Sequence, residues 1–121
     1  MSSETITRND LKAILDDALP TPLKVQTETV TSGNISLKLY KCNGVVQVSS
    51  FGNFPATNDG VTIVTMPNGF RPLESSDFTV FNSSGTRLGA IRFNSDGRVT
   101  PVFGNLTAGA VRACWTYICG F

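Results

Sequence analysis

Two hydrophobic periods divide the chain. Before Pro20, the residues Leu11, Ile14, Leu15, Ala18 and Leu19 recur at helical spacing, which predicts a short helix with one apolar stripe. Thr7-Arg8-Asn9-Asp10 opens it in the form of a capping box, with Asp in place of the usual Glu, and Pro20 and Pro22 stop it. About three turns of helix are marginal alone. The Leu11/Ile14/Leu15/Ala18 stripe is therefore expected to pack on the rest of the chain, on its own copies as an oligomer stem, or on a larger assembly as an attachment peg. Residues 1–22 are read as this helix and its Pro-rich boundary, and residues 23–121 as one β domain.

Beyond Pro22 the period drops to two. Val25, Thr27, Thr29 and Thr31 alternate with Gln26, Glu28 and Val30, and then Ile35, Leu37 and Leu39 alternate with Ser36, Lys38 and Tyr40. Asn43-Gly44 between two such runs predicts a two-residue hairpin, because both residues tolerate the positive φ of a type I′ turn. Asn58-Asp59-Gly60, Pro67-Asn68-Gly69, Ser84-Gly85 and Ser95-Asp96-Gly97 mark further turns. Short β-rich runs at 61–66, 78–81, 87–93 and 99–103 lie between them. The last run, 110–119, is apolar on both faces around Trp115, Tyr117 and Ile118, so a strand covered on both sides is expected. About eight strands with this punctuation predict an all-β sandwich or jelly-roll-like body carried on a short N-terminal helix.

Composition narrows the function. Lys+Arg 10 against Asp+Glu 9 leaves a net charge of +1 with no basic run, so the field that draws a protein to nucleic acid is missing. The apolar stretches are far shorter than the roughly 20 residues of a membrane span, and the start, Met1-Ser2-Ser3-Glu4, lacks the basic-then-apolar form of a secretory signal. Cytoplasmic synthesis is the expectation. Cys42, Cys114 and Cys119 are odd in number and follow no metal or redox spacing, so they are read as buried thiols, a bridge from Cys42 to the last strand being the sharper alternative. Cys114 and Cys119, five apart on an extended strand, should face opposite ways.

The 121 residues contain no histidine, which removes the commonest general base and the commonest transition-metal ligand. Paired carboxylates could still cleave a glycosidic bond if two faced each other and burial raised the pKa of one. Asp59 and Asp96 sit in turns, where such side chains accept backbone hydrogen bonds. Glu74 and Asp77 flank Ser75-Ser76 and are read as a solvated loop edge. No glycine cluster opens a helix as a phosphate site requires, and no calcium loop is present, so neither cofactor nor metal is expected. Recognition at a surface remains. Saccharide binding needs an aromatic face and a few planar or charged hydrogen-bonding partners. Tyr40, Asp59, Arg71, Arg87, Trp115 and Tyr117 are the candidates by residue type. The plainer reading puts Trp115 and Tyr117 in the core or at a subunit interface and gives Arg71 the task of fixing its own loop.

Met66-Pro67-Asn68-Gly69-Phe70-Arg71-Pro72, Gly89-Ala90-Ile91-Arg92-Phe93, Asp96-Gly97-Arg98-Val99 and the terminal Arg112-Ala113-Cys114-Trp115-Thr116-Tyr117-Ile118 follow one another in a particular order. With Asn43-Gly44-Val45-Val46 ahead of them, this order resembles the C-terminal head domains of tailed-phage receptor-binding and lower-baseplate (tail fibre) proteins over most of residues 33–121. The resemblance implies a compact head that forms a homotrimer in the tail of a phage or prophage virion, contacts other tail or baseplate proteins, and binds host cell-wall saccharide without catalysis. In such a trimer the N-terminal helix would face the rest of the virion. The helix is too short for a long stem and no neck domain follows it, which departs from the pattern. A structural virion adaptor without glycan binding is the alternative reading.

Overall fold

A computed structural model describes residues 24–120. The expected helix and its Leu11/Ile14/Leu15/Ala18 stripe lie outside the described residues. Within them the protein is all-β, with eight strands in two antiparallel four-stranded sheets. The first sheet holds β1 (Gln26–Ser32), β2 (Ile35–Cys42), β3 (Val45–Phe54) and β8 (Gly109–Ile118) in the order β1-β2-β3-β8. The second holds β4 (Val64–Thr65), β5 (Ser76–Phe81), β6 (Arg87–Phe93) and β7 (Arg98–Val102) in the order β4-β7-β6-β5.

Turn chemistry sets the hairpins. Asn43 and Gly44 both take positive φ, 52° and 81°, and join β2 to β3 as the Asn-Gly pair predicts. At Gly52 the requirement is steric. Its φ is +121° and an added Cβ would lie 2.0 Å from the Asn34 carbonyl oxygen, so only glycine lets β3 press against the β1–β2 turn. Beyond this bend β3 leaves β2 and continues beside β8 alone, pairing Asn53 with Ala110 and Phe54 with Gly109.

Alternation then sends every second side chain to one shared core. Ile35, Leu37 and Leu39 of β2, Val46 and Val48 of β3, and Val111, Trp115 and Tyr117 of β8 meet Val80, Ile91, Phe93 and Val99 of the second sheet. Phe93 is the hub: its ring lies 5.5 Å from Phe78 edge-on, 5.9 Å from Trp115 and 5.3 Å from Tyr117. Such aromatic pairs add about 0.5–1.5 kcal/mol each beyond the area they bury. Tyr117 donates its hydroxyl proton to the Phe70 carbonyl, tying the β4–β5 segment to β8, and burial pushes its pKa well above the ordinary tyrosine value.

The edge of β8 is covered from within the chain. The Leu73 N–H donates to the Ile118 carbonyl at 2.8 Å and the Ser83 N–H to the Ala110 carbonyl at 3.0 Å. The segment carrying β5 thus grips both ends of β8 while its middle pairs with β6, which closes one side of the core and blunts an exposed edge. On the other side the Ser32 hydroxyl bridges to the Ile63 carbonyl.

Three expectations need correction. The last strand is covered on one face only: Val111, Trp115 and Tyr117 point inward, while Arg112, Cys114, Thr116 and Ile118 are exposed. Its outward residues looked core-like because they are small or apolar, not because a second layer covers them in this chain. The run 61–66 shrinks to Val64–Thr65, since the Val61 N–H turns back to the Asn58 carbonyl. Strand β5 begins at Ser76 and so takes Asp77 out of the expected loop.

Trp115→Ala should cost about 3–5 kcal/mol and Tyr117→Phe about 1–3 kcal/mol in urea unfolding, from cavity formation and loss of the Phe70 partner respectively. Tyr40→Ala on the exposed face should stay within about 0.5 kcal/mol.

Candidate functional site

Among the described non-glycine residues, the most unusual backbone conformation belongs to a side chain that gains nothing from the core. Phe103, one residue past β7, has φ 61°, and its side chain is 78% exposed. A bulky residue in this region costs on the order of 1–2 kcal/mol. Asn43 of the tight hairpin is the other positive-φ non-glycine residue among the described residues, and there the turn explains it. At Phe103 the conformation presents an aromatic ring to solvent.

The ring is held from beside. The Arg92 guanidinium of β6 lies 5.8 Å from its centroid, within reach of a cation–π contact. Arg92 is itself fixed by two parallel hydrogen bonds to Asp77 of β5, Nε to Oδ1 at 2.7 Å and Nη2 to Oδ2 at 3.0 Å. Direct pairing of Asp77 with Arg92 in the β5–β6 ladder sets this geometry. The hydrogen bond from Arg92 draws the Asp77 pKa below its ordinary value, and the same bond raises that of Arg92. The charge of Asp59 adds a weaker pull on Arg92. Asp59 is placed there by its own N–H, which donates to Asn105 Oδ1 at 2.8 Å, and by the Gly60 N–H, which donates to the Pro101 carbonyl.

An aromatic ring and a planar carboxylate–guanidinium pair therefore share the outer face of the second sheet, and the charge of Asp59 in the neighbouring turn is felt at Arg92. The apolar side of a sugar ring can rest on such an aromatic surface while fixed, planar acceptors and donors sort its hydroxyls. The lowered pKa of Asp77 has the wrong sign for a glycosidase general acid, which needs a raised one. Asp96 is likewise committed: it accepts from the Arg98 N–H at 3.0 Å and from Arg98 Nε at 2.8 Å, the turn role expected for it. No group of three or more metal-ligating side chains occurs among the described residues.

Of the six candidates by residue type, only Asp59 joins this cluster. Trp115 and Tyr117 are 7% and 4% exposed, so their rings offer no stacking face, and their candidacy is corrected to a core role. Arg71 donates Nε to the Met66 carbonyl at 3.2 Å and lies against Gly97, where an added Cβ would meet its Nε at 2.6 Å. It holds its own loop. Tyr40 is exposed on the outer face of the other sheet, between Thr27 and Gln47, and Arg87 is exposed opposite Phe81. The thiols are free: Cys42 and Cys119 are half-buried, while Cys114 is exposed beside the Gln47 amide, correcting the expectation that all three are buried. Cys114 and Cys119 do face opposite ways.

Sequence reasoning missed Asp77, Arg92 and Phe103. Asp77-Phe78-Thr79-Val80-Phe81 alternates, and that signal could have moved Asp77 from loop to strand. Nothing in one dimension announces that Arg92 sits opposite it or that Phe103 turns outward. No protein-family model matches this chain, and no curated protein does. No helix among the described residues is long and apolar enough to cross a membrane.

Because the Asp77 pKa is depressed, the ion pair is complete above the ordinary aspartate value of 3.8 and is lost as pH falls through the lower native pKa. A carboxyl-carbon NMR titration should place the Asp77 midpoint below 3.8, and Arg92→Gln should return it toward that value. An unmoved midpoint in the variant would disprove the assignment.

Proposed function

We propose that this β domain is a non-catalytic receptor-binding head of a phage or prophage tail, and that it recognises a saccharide on the bacterial surface. The observation that carries the reading is the exposed Phe103 ring, set at unfavourable φ and flanked by the bidentate Arg92–Asp77 pair. Strain without burial is the mark of a side chain positioned for a partner. Two apolar-faced sheets over one core support a β-sandwich. The consecutive hairpins β1-β2-β3 and β5-β6-β7 favour it over a jelly roll. The order of motifs shared with tailed-phage head domains supports the virion setting. A homotrimer would set several weak sites side by side, and avidity would supply the strength each shallow site lacks.

The alternative is a structural adaptor within the virion. It is favoured by the outer face of the first sheet, where Tyr40, Val45, Phe51 and Ile118 are 36–65% exposed and Lys38 and Arg112 are the charged residues. An exposed apolar face of this kind suits contact with another protein.

Pull-down on host cell wall, together with a glycan array, separates the two. The receptor-binding reading expects saturable binding by the native protein and a loss of at least about tenfold in Phe103→Ala, with the melting temperature unchanged because the ring is exposed. Binding to neither target supports the adaptor. Light scattering should give three times 13.0 kDa for the trimer, and a monomer at high concentration would count against it.

A further inference from the structure

A second concavity lies away from Phe103, at the end of the first sheet where β3, β8 and the β5–β6 turn meet. Its volume is about 360 Å³, at the lower end of the range of small-molecule sites. The bend at Gly52 creates it. Phe51 still pairs with Ser36 of β2, but past this bend Asn53 keeps only the bond from its N–H to the Asn34 carbonyl, so the outer face has no neighbouring strand beyond Asn53. Ala110, opposite Asn53, forms a floor with only a methyl group, and the Ser83 N–H bond to the Ala110 carbonyl draws the β5–β6 turn up as the far wall. Arg112 stands directly across from Phe51 on β8.

The chemistry of this lining is one-sided. Phe51 is 43% exposed and offers an aromatic face. Arg112, like Arg87, makes no ion pair or side-chain hydrogen bond among the described residues, whereas Arg92, Arg98 and Arg71 are committed to partners. No carboxylate lines the cleft. A free guanidinium beside an aromatic face, with an amide and a hydroxyl nearby, matches a six-membered ring that carries a carboxylate: the carboxylate takes two parallel bonds from the guanidinium while one face of the ring covers Phe51. A ring without the acid makes no use of Arg112, and an inorganic anion leaves Phe51 uncovered.

We propose that this cleft is a second binding site, independent of the Phe103 surface, and that it accepts a carboxylate-bearing ring. The ring is either an acidic sugar residue or a free cyclic acid. Amide NMR titrations of the full chain with glucuronate, benzoate, glucose and inorganic phosphate test it. Glucuronate or benzoate should produce saturable shifts at residues 51–53, 83 and 110–112, and whichever acid binds more tightly identifies the source. Glucose and phosphate should bind at least about tenfold more weakly. Arg112→Gln should weaken the acid by about tenfold or more, and Ala110→Leu, which fills the floor, should abolish it. Both positions are exposed, and an unchanged melting curve verifies that the variants fold. Absence of shifts with both acids, shifts that survive Arg112→Gln, or equal binding of phosphate would each overturn the proposal. Phe103→Ala should leave the acid titration unchanged, so failure here and failure at Phe103 are read separately.

Discussion

Every structural feature of this domain hangs on the aromatic layer between the sheets, because a strand has period two and filling the layer decides both faces at once. Phe78 and Val80 of β5 and Ile91 and Phe93 of β6 point inward toward Trp115 and Tyr117. Asp77 and Arg92 must then point outward, and the register that pairs Phe78 with Ile91 also pairs Asp77 with Arg92. A slip of one residue would drive a carboxylate and a guanidinium into the core, where unpaired charge costs several kcal/mol. The ion pair on the surface is thus a by-product of apolar packing, held in place with far more free energy than an exposed pair could supply by itself.

The same economy operates at the edges. The segment around β5 belongs to the second sheet through β6, yet its two ends bond the first sheet through Ile118 and Ala110. That dual attachment shuts one side of the core and protects β8 from pairing with other chains. It also delivers the β5–β6 turn to the rim of the cleft beside Arg112. Two potential binding features therefore sit on opposite sheets, each built where regular pairing ends: Phe103 where β7 stops, and the cleft where β3 bends away from β2.

Charge is distributed unevenly over these surfaces. The outer face of the second sheet carries both signs in fixed geometry, Asp77 bonded to Arg92. The outer face of the first sheet is rich in threonine, serine and exposed apolar side chains and carries Lys38 and Arg112.

Local chemistry in the sequence determined the strands and their turns. Ile35, Leu37 and Leu39 alternate, Asn43-Gly44 tolerates positive φ, and Asp96 caps its own turn, all through interactions spanning a few residues. Those readings needed no knowledge of distant neighbours. The sequence favoured a buried Trp115 and Tyr117, but the tertiary structure alone decided that the outward side of β8 is bare and that Asp77 meets Arg92 fifteen residues away. It also decided that Phe103 turns to solvent. An aromatic or charged residue carries no label for the face it will occupy; that face is assigned by register between strands, and register is settled only when two sheets compete for one buried layer.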